Sequence, residues 1–105
     1  MKIAITVSNN KGLDSEIDSR FGRARYFALI DPETEEIEIE KNSAASAASG
    51  AGVAAAQQVV DLGADAVISG NFGPKAFSSL RAGGLELYTL NDGTVKDAIA
   101  SYNQG

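Results

Sequence analysis

Apolar and polar positions alternate in runs that can be read directly as elements. The opening run "KIAITVS" (2–8) is rich in Ile, Thr and Val and predicts a buried first strand, closed by polar Ser8, Asn9 and Asn10. Residues 9–20, "NNKGLDSEIDSR", read as a polar loop. "RYFALID" (25–31) predicts a second strand ended by the turn Asp31-Pro32-Glu33. In "EIEIEK" (36–41) the alternation is strict, with Ile37 and Ile39 on one side and Glu36, Glu38 and Glu40 on the other. That is a half-buried strand whose charged side also discourages edge-to-edge pairing.

The period then lengthens. "NSAASAASGAG" (42–52) is a loop of small residues that delivers a helix start. In "GVAAAQQVVDLG" (52–63) Val53, Ala56 and Val60 fall at helical spacing, joined by Val59 and Leu62, with Gly63 as the stop, and the alanines would let this helix lie close to a sheet. "DAVISG" (65–70) predicts a short buried strand. "GPKAFSSLRAGG" (73–84) predicts a helix opened by Pro74 and closed by Gly83-Gly84. "LELYTL" (85–90) predicts a strand. Thr94 with Asp97 three positions on predicts a capping box for a last helix that turns Val95, Ile99 and Tyr102 inward.

The order is therefore βββαβαβα. A short turn between the second and third strands implies an antiparallel hairpin. Helical crossovers afterwards force parallel pairing, and their right-handedness puts helices on both faces. The fold class predicted is α/β, a mixed five-stranded sheet of order 3-2-1-4-5, in one domain spanning 1–105. Of the aromatics, Tyr26, Phe27, Phe72 and Phe77 are expected in the core, whereas Phe21, in a polar stretch, is a candidate pocket wall.

Composition narrows the chemistry. The chain has 105 residues, no Cys and no His, and a net charge of −5. Disulfides, thiolate or imidazole metal ligands and Cys–His or Ser–His nucleophiles are excluded, and no nucleophile–base pair or metal triad can be assembled. An enzyme is the least favoured class. No broad basic face exists for nucleic acid, no stretch approaches a membrane span, and "IAITV" is too short for a signal-peptide core. The expected address is the cytoplasm.

Against this acidic background Arg20, Arg23 and Arg25 crowd into "SRFGRARYF" (19–27), and only Arg81 lies elsewhere. In open α/β sheets ligands sit beyond the carboxyl ends of the strands where the strand order reverses, here between the first and fourth strands. Ser8-Asn9-Asn10, the 42–52 segment and Gly70-Asn71-Phe72-Gly73 all reach that edge. The last two run into helix N-termini, whose N–H groups and dipole favour an anion. The arginines enter at the same edge, bringing fixed planar forks of donors. The competing reading is that they pair with Asp14, Glu16 and Asp18 as ordinary surface ion pairs. The candidate anion-binding set is Ser8, Asn9, Arg20, Phe21, Gly22, Arg23, Arg25, Gly50, Gly52, Gly70, Asn71 and Gly73, with Lys75 adding charge in the first turn of its helix.

Three other patterns fail on context. "GAGVAA" (50–55) has the letters of a dinucleotide fingerprint but no apolar strand before it. "DSEID" (14–18) lacks the glycine and the final bidentate Glu of a calcium loop. The first strand carries no Asp for a magnesium-dependent nuclease.

The segments "MKIAITVSNN", "RFGRARYF", "GAGVAAAQQVVDLGADAVISGNFGPKAFSSL" and "GTVKDAI" together resemble the dinitrogenase iron–molybdenum cofactor biosynthesis family over nearly the whole chain. The most specific parts are Phe21 to Ala24 and Gly70 to Ala76. The resemblance implies a ribonuclease H-like sheet without nuclease carboxylates. It also implies a nitrogenase accessory factor-like role in holding the iron–molybdenum cofactor or a precursor. Related small proteins, one carrying a molybdenum–copper sulfide cluster, extend that role beyond nitrogen fixation. Where the family usually has His before Phe-Gly, this chain has Arg20. An anionic molybdenum- or iron-containing sulfide cluster would then be held non-covalently, by charge and hydrogen bonds. Cofactor-assembly proteins are the implied partners. Two other functions use the same surface: a sensor for a small oxyanion or nucleotide, and an adaptor in metal trafficking that docks through the acidic hairpin.

Overall fold

A computed structural model describes residues 1–104. Five strands, β1 (Ile3–Val7), β2 (Tyr26–Ile30), β3 (Ile37–Lys41), β4 (Ala66–Ser69) and β5 (Glu86–Thr89), form one sheet of order β3-β2-β1-β4-β5. Antiparallel pairing joins β1 to β2 and β2 to β3, and parallel pairing joins β1 to β4 and β4 to β5. The helices are α1 (Ala51–Asp61), α2 (Pro74–Ala82) and α3 (Val95–Asn103), with a single 3-10 turn at Gly12–Asp14. The expected elements and strand order are all present, each shifted by no more than a residue or two at its ends.

The strands differ in pattern because they differ in neighbours. Central β1 is covered on both faces, so all five of its residues are buried and it reads as an apolar run broken only by Thr6. Edge strand β3 is covered on one face and alternates. Successive side chains point to opposite faces, which splits the core into two layers. Ala4, Phe27, Leu29 and Val67 meet Ala55, Ala56 and Val59 of α1 and Ala76 and Leu80 of α2. On the other side Ile3, Ile5, Val7, Ala28, Ile30 and Ile68 meet Val95, Ala98 and Ile99 of α3. No helix among the described residues is long and apolar enough to cross a membrane.

Two expectations about the core are corrected. Val53 is 43% exposed, because α1 turns its alanine stripe inward instead; Ala51, Ala55, Ala56 and Val59 are the buried positions. The reason is distance: small side chains let α1 lie close to α2, with Gly52 facing Ala76 so tightly that a Cβ at position 52 would meet the Ala76 Cβ at 3.3 Å. Phe77 is 50% exposed, since α2 uses Ala76 and Leu80 against the sheet. The expected wall residue Phe21 is instead a core side chain, 2% exposed, between Phe27 (ring centroids 5.8 Å apart) and Phe72 (5.5 Å).

Candidate functional site: a cationic groove between two helix starts

Three helices begin at or near the carboxyl edge of the sheet, and they begin differently. α3 is closed by its own residues: the Thr94 N–H donates to Asp97 Oδ2 (2.9 Å) and the Asp97 N–H donates to Thr94 Oγ1 (3.3 Å). α1 starts from Gly50 in the left-handed region (φ 71°) and α2 from Gly73, and neither start receives a side-chain cap. The first i to i−4 bonds are Ala54 N–H to Gly50 O and Phe77 N–H to Gly73 O. That leaves the N–H groups of Ala51, Gly52 and Val53, and of Lys75 and Ala76, without intrahelical acceptors. Pro74 has no N–H to leave unmet.

Close backbone approaches bring these two starts together with the arginine segment. A Cβ at Gly22 would lie 2.9 Å from Gly52 N and 3.0 Å from its Cα, so the Phe-Gly pair rests directly on the first turn of α1. A Cβ at Gly70 would lie 2.6 Å from Ser19 Cα, seating the same segment on the β4–α2 turn. Thr6 Oγ1, at the end of β1, is 2.8 Å from both Asp18 O and Ser69 Oγ, which ties the segment to β1 and β4. The result is a groove of about 400 Å³ lined by Gly22, Arg23, Gly50 to Val53 and Gly73 to Ala76. Two cations, Arg23 and Lys75, line it, and no carboxylate does.

Five of the twelve sequence candidates, Gly22, Arg23, Gly50, Gly52 and Gly73, meet in this groove. Arg23 is held in place: its Nη1 donates to the carbonyls of Ala45 (3.1 Å) and Ala47, leaving Nε and Nη2 unengaged. Arg20 has the bland role. Its Nε donates to Asp18 Oδ1 and its Nη2 to Asp18 Oδ2, both at 3.2 Å, neutralising a carboxylate whose side chain is 5% exposed. Those hydrogen bonds, with the charge of Asp18, raise the Arg20 guanidinium above its ordinary pKa. Arg25 lies over the ring of Tyr26, 5.9 Å from its centroid, and lines a separate surface hollow with Lys41 and Ser43.

The remaining candidates sit elsewhere. Ser8 borders a different hollow beside Thr94, and Asn9 Oδ1 accepts from the Glu16 N–H (3.0 Å). Asn71 is exposed, and its carbonyl lies 3.4 Å from Ser69 Oγ. Phe21 and Gly70 support the groove from behind. Sequence reasoning missed Asn42, a buried amide whose Nδ2 donates to Gly22 O (3.1 Å) and Ala24 O (2.8 Å) while its Oδ1 accepts from the Ala44 N–H (3.0 Å). The only trace it leaves in the sequence is an Asn placed at the end of a strand, a weak turn signal.

Comparison with known proteins covers the same ground. The family profile described as dinitrogenase iron-molybdenum cofactor matches residues 1–105. An uncharacterized protein of Methanocaldococcus jannaschii is 32% identical, with the match spanning 100% of this chain and 87% of that one. The apo form of the orange protein from Desulfovibrio gigas superposes with a TM-score of 0.93 at 36% identity, over 99% of this chain and 88% of that chain. The NMR structure of a Thermotoga protein provisionally assigned to NifB gives 0.84 at 34% identity, again over 99% and 88%. All three likenesses run through the segments that build the groove.

Proposed function

Because the chain belongs to the dinitrogenase iron-molybdenum cofactor family, we propose that it is a non-enzymatic carrier or scaffold for an anionic metal–sulfur cluster or a precursor of the iron–molybdenum cofactor. The cluster is cargo, taken up and handed on. With no Cys or His in the sequence, it is held by charge and hydrogen bonds and not by ligation from this protein. The observation that carries the reading is the groove itself: two uncapped helix starts and two cations, with no opposing carboxylate, converge on one space.

Each group has a part that follows from its geometry. The open N–H groups of α1 and α2 point fixed dipoles at the cargo at no cost in ordering, since the helices are already formed. Arg23, steadied through Nη1 by Ala45 and Ala47, presents its remaining N–H groups in a preset orientation. Lys75 adds a mobile charge. Such a site binds reversibly, as a carrier requires.

The test is an anaerobic amide NMR titration of labelled protein with tetrathiomolybdate, run beside phosphate, molybdate and NAD. Saturable shifts at Gly22, Arg23, Gly50 to Val53 and Lys75 to Ala76 with the sulfur species are expected. Shifts there with phosphate or NAD alone would make the protein an oxyanion or nucleotide sensor. An absence of shifts with every probe would overturn the site.

A further inference from the structure

Two apolar side chains stand outside the core on the first turns of α1 and α2. Among the described residues the exposed large hydrophobics are Met1, Val53, Phe77 and Tyr88, and two of these four stand on the first turns of the helices that frame the groove. Val53 directly follows Gly52, and Phe77 directly follows Ala76, the two residues at the tight α1–α2 contact. Val53 and Pro74 line the groove beside Arg23 and Lys75, and Phe77 lies one turn along α2 from Gly73. A single exposed apolar residue needs no explanation, but a pair beside a cationic cleft puts opposed demands on whatever enters.

An oxyanion such as phosphate or molybdate holds its water tightly through hard oxygen acceptors. Pressing those oxygens against Val53 or Phe77 strips hydration and returns no hydrogen bond. Sulfide-terminated anions are larger, more polarizable and weaker acceptors, and sulfur makes favourable contacts with aromatic edges and aliphatic groups. Arg23, Lys75 and the helix N–H groups attract both kinds of anion. The apolar rim separates them.

We propose that Val53 and Phe77 form a selectivity lip, through which the groove prefers sulfide-terminated polyanions to oxyanions of equal charge and shape. The inference rests on the reading that the groove binds an anion, and it assigns the choice between anions to side chains that carry no charge. The backbone and side chain of Val53 then have separate tasks: its N–H attracts, and its isopropyl group discriminates.

Tetrathiomolybdate and molybdate are suitable probes, since both are tetrahedral dianions and differ in sulfur for oxygen. Dissociation constants for both would be measured by anaerobic calorimetry on the wild type, Val53→Ser, Phe77→Ser, the double variant and Arg23→Ala. Val53→Thr, which keeps the shape of the side chain, guards against loss of folding, and amide spectra check every variant. In the double variant the preference for tetrathiomolybdate should fall about tenfold, mainly through weaker binding of the sulfur species. In Arg23→Ala both anions should weaken together with the preference kept. An unchanged preference in the lip variants, with both anions weakened by Arg23→Ala, would overturn the lip and leave the carrier reading standing. Failure of the wild type to bind either anion would overturn both. If sedimentation shows the wild type self-associating, and Phe77→Ser abolishes that without changing the preference, the rim is an interface between copies and the lip is overturned.

Discussion

The start of α3 and the starts of α1 and α2 are built from the same problem and solve it in opposite ways. At α3 the open N–H groups are met from within: Thr94 and Asp97 close the capping box, the Val95 N–H donates to Ser15 O (3.0 Å), and the neighbouring Ile17 N–H donates to Gly93 O (2.9 Å). At α1 and α2 glycine stands where Ser, Thr, Asp or Asn would cap, so the donors remain unmet. One face of the sheet is finished by the sequence. The other leaves its helix starts open, and the charged side chains lining the groove between them, Arg23 and Lys75, are both cations. Glycine in place of a capping side chain sacrifices only roughly a few tenths of a kcal/mol at each start, a small cost for leaving those donors open.

The comparison can be broken most directly at the backbone contacts. Gly70→Ala and Gly22→Ala place a methyl group 2.6 Å from Ser19 Cα and 2.9 Å from Gly52 N, against main chain that cannot give way cheaply. Each should lower unfolding stability by roughly 1–3 kcal/mol, read from urea denaturation, and should distort the groove as seen in amide shifts of Gly50 to Val53. Wild-type stability in both would mean that the segments are not seated as described.

Next in size is the loss of charge. Arg23→Ala should weaken tetrathiomolybdate binding by roughly 1.5–3 kcal/mol, the usual worth of a charge-assisted hydrogen bond, with little change in the unfolding midpoint. Arg20→Ala should do the reverse, lowering stability by stranding buried Asp18 while affinity stays near wild type. Equal losses of affinity in the two variants would return Arg20 to the site.

The finished start provides the control. Thr94→Ala removes one side of the capping box and should cost about 1 kcal/mol of stability with no change in anion affinity. The converse substitution, Gly73→Ser, supplies a potential cap to α2. Position 73 has ordinary extended backbone and open space for a Cβ, so the fold should hold. Anion affinity should fall by a few tenths of a kcal/mol to about 1 kcal/mol, as the hydroxyl competes for an N–H that the ligand would use. An affinity that does not move would mean that the α2 donors take no part.

Strand order, helix order and the Thr94–Asp97 cap could be read from the chain because each is written in local period or spacing. The alternation of 36–41, the Pro74 start and the Gly83-Gly84 stop all act within a few residues of themselves. What could not be read depends on distance in three dimensions. The alanines of α1 were legible as the residues that let the helix lie close to the sheet, but Val53 matches a helical stripe as well, and only the nearness of α1 to α2 decides that it turns outward. Arg20, Arg23 and Arg25 are alike in sequence. The carboxylate of Asp18, the carbonyls of Ala45 and Ala47 and the ring of Tyr26 give them three different fates. Ser8 and Asn9 follow β1 toward the expected edge, but backbone bonding of Ser8 to Glu16 turns them to the α3 side. The meeting of Gly22, Gly50, Gly52 and Gly73 was legible as a tendency of glycines to gather at helix starts, though not as a contact.

The stacking of Gly22 on Gly52 and of Gly52 on Ala76 also divides what descent can alter from what it cannot. Gly22 answers to the main chain of α1 and Gly52 to the Ala76 side chain, so larger residues there force their neighbours to shift before their chemistry matters. Val53, Lys75 and Phe77 are exposed on the first turns of the same two helices, so packing constrains them far less. On the carrier reading proposed above, a lineage could exchange one cargo for another by changing three surface side chains over a more constrained floor.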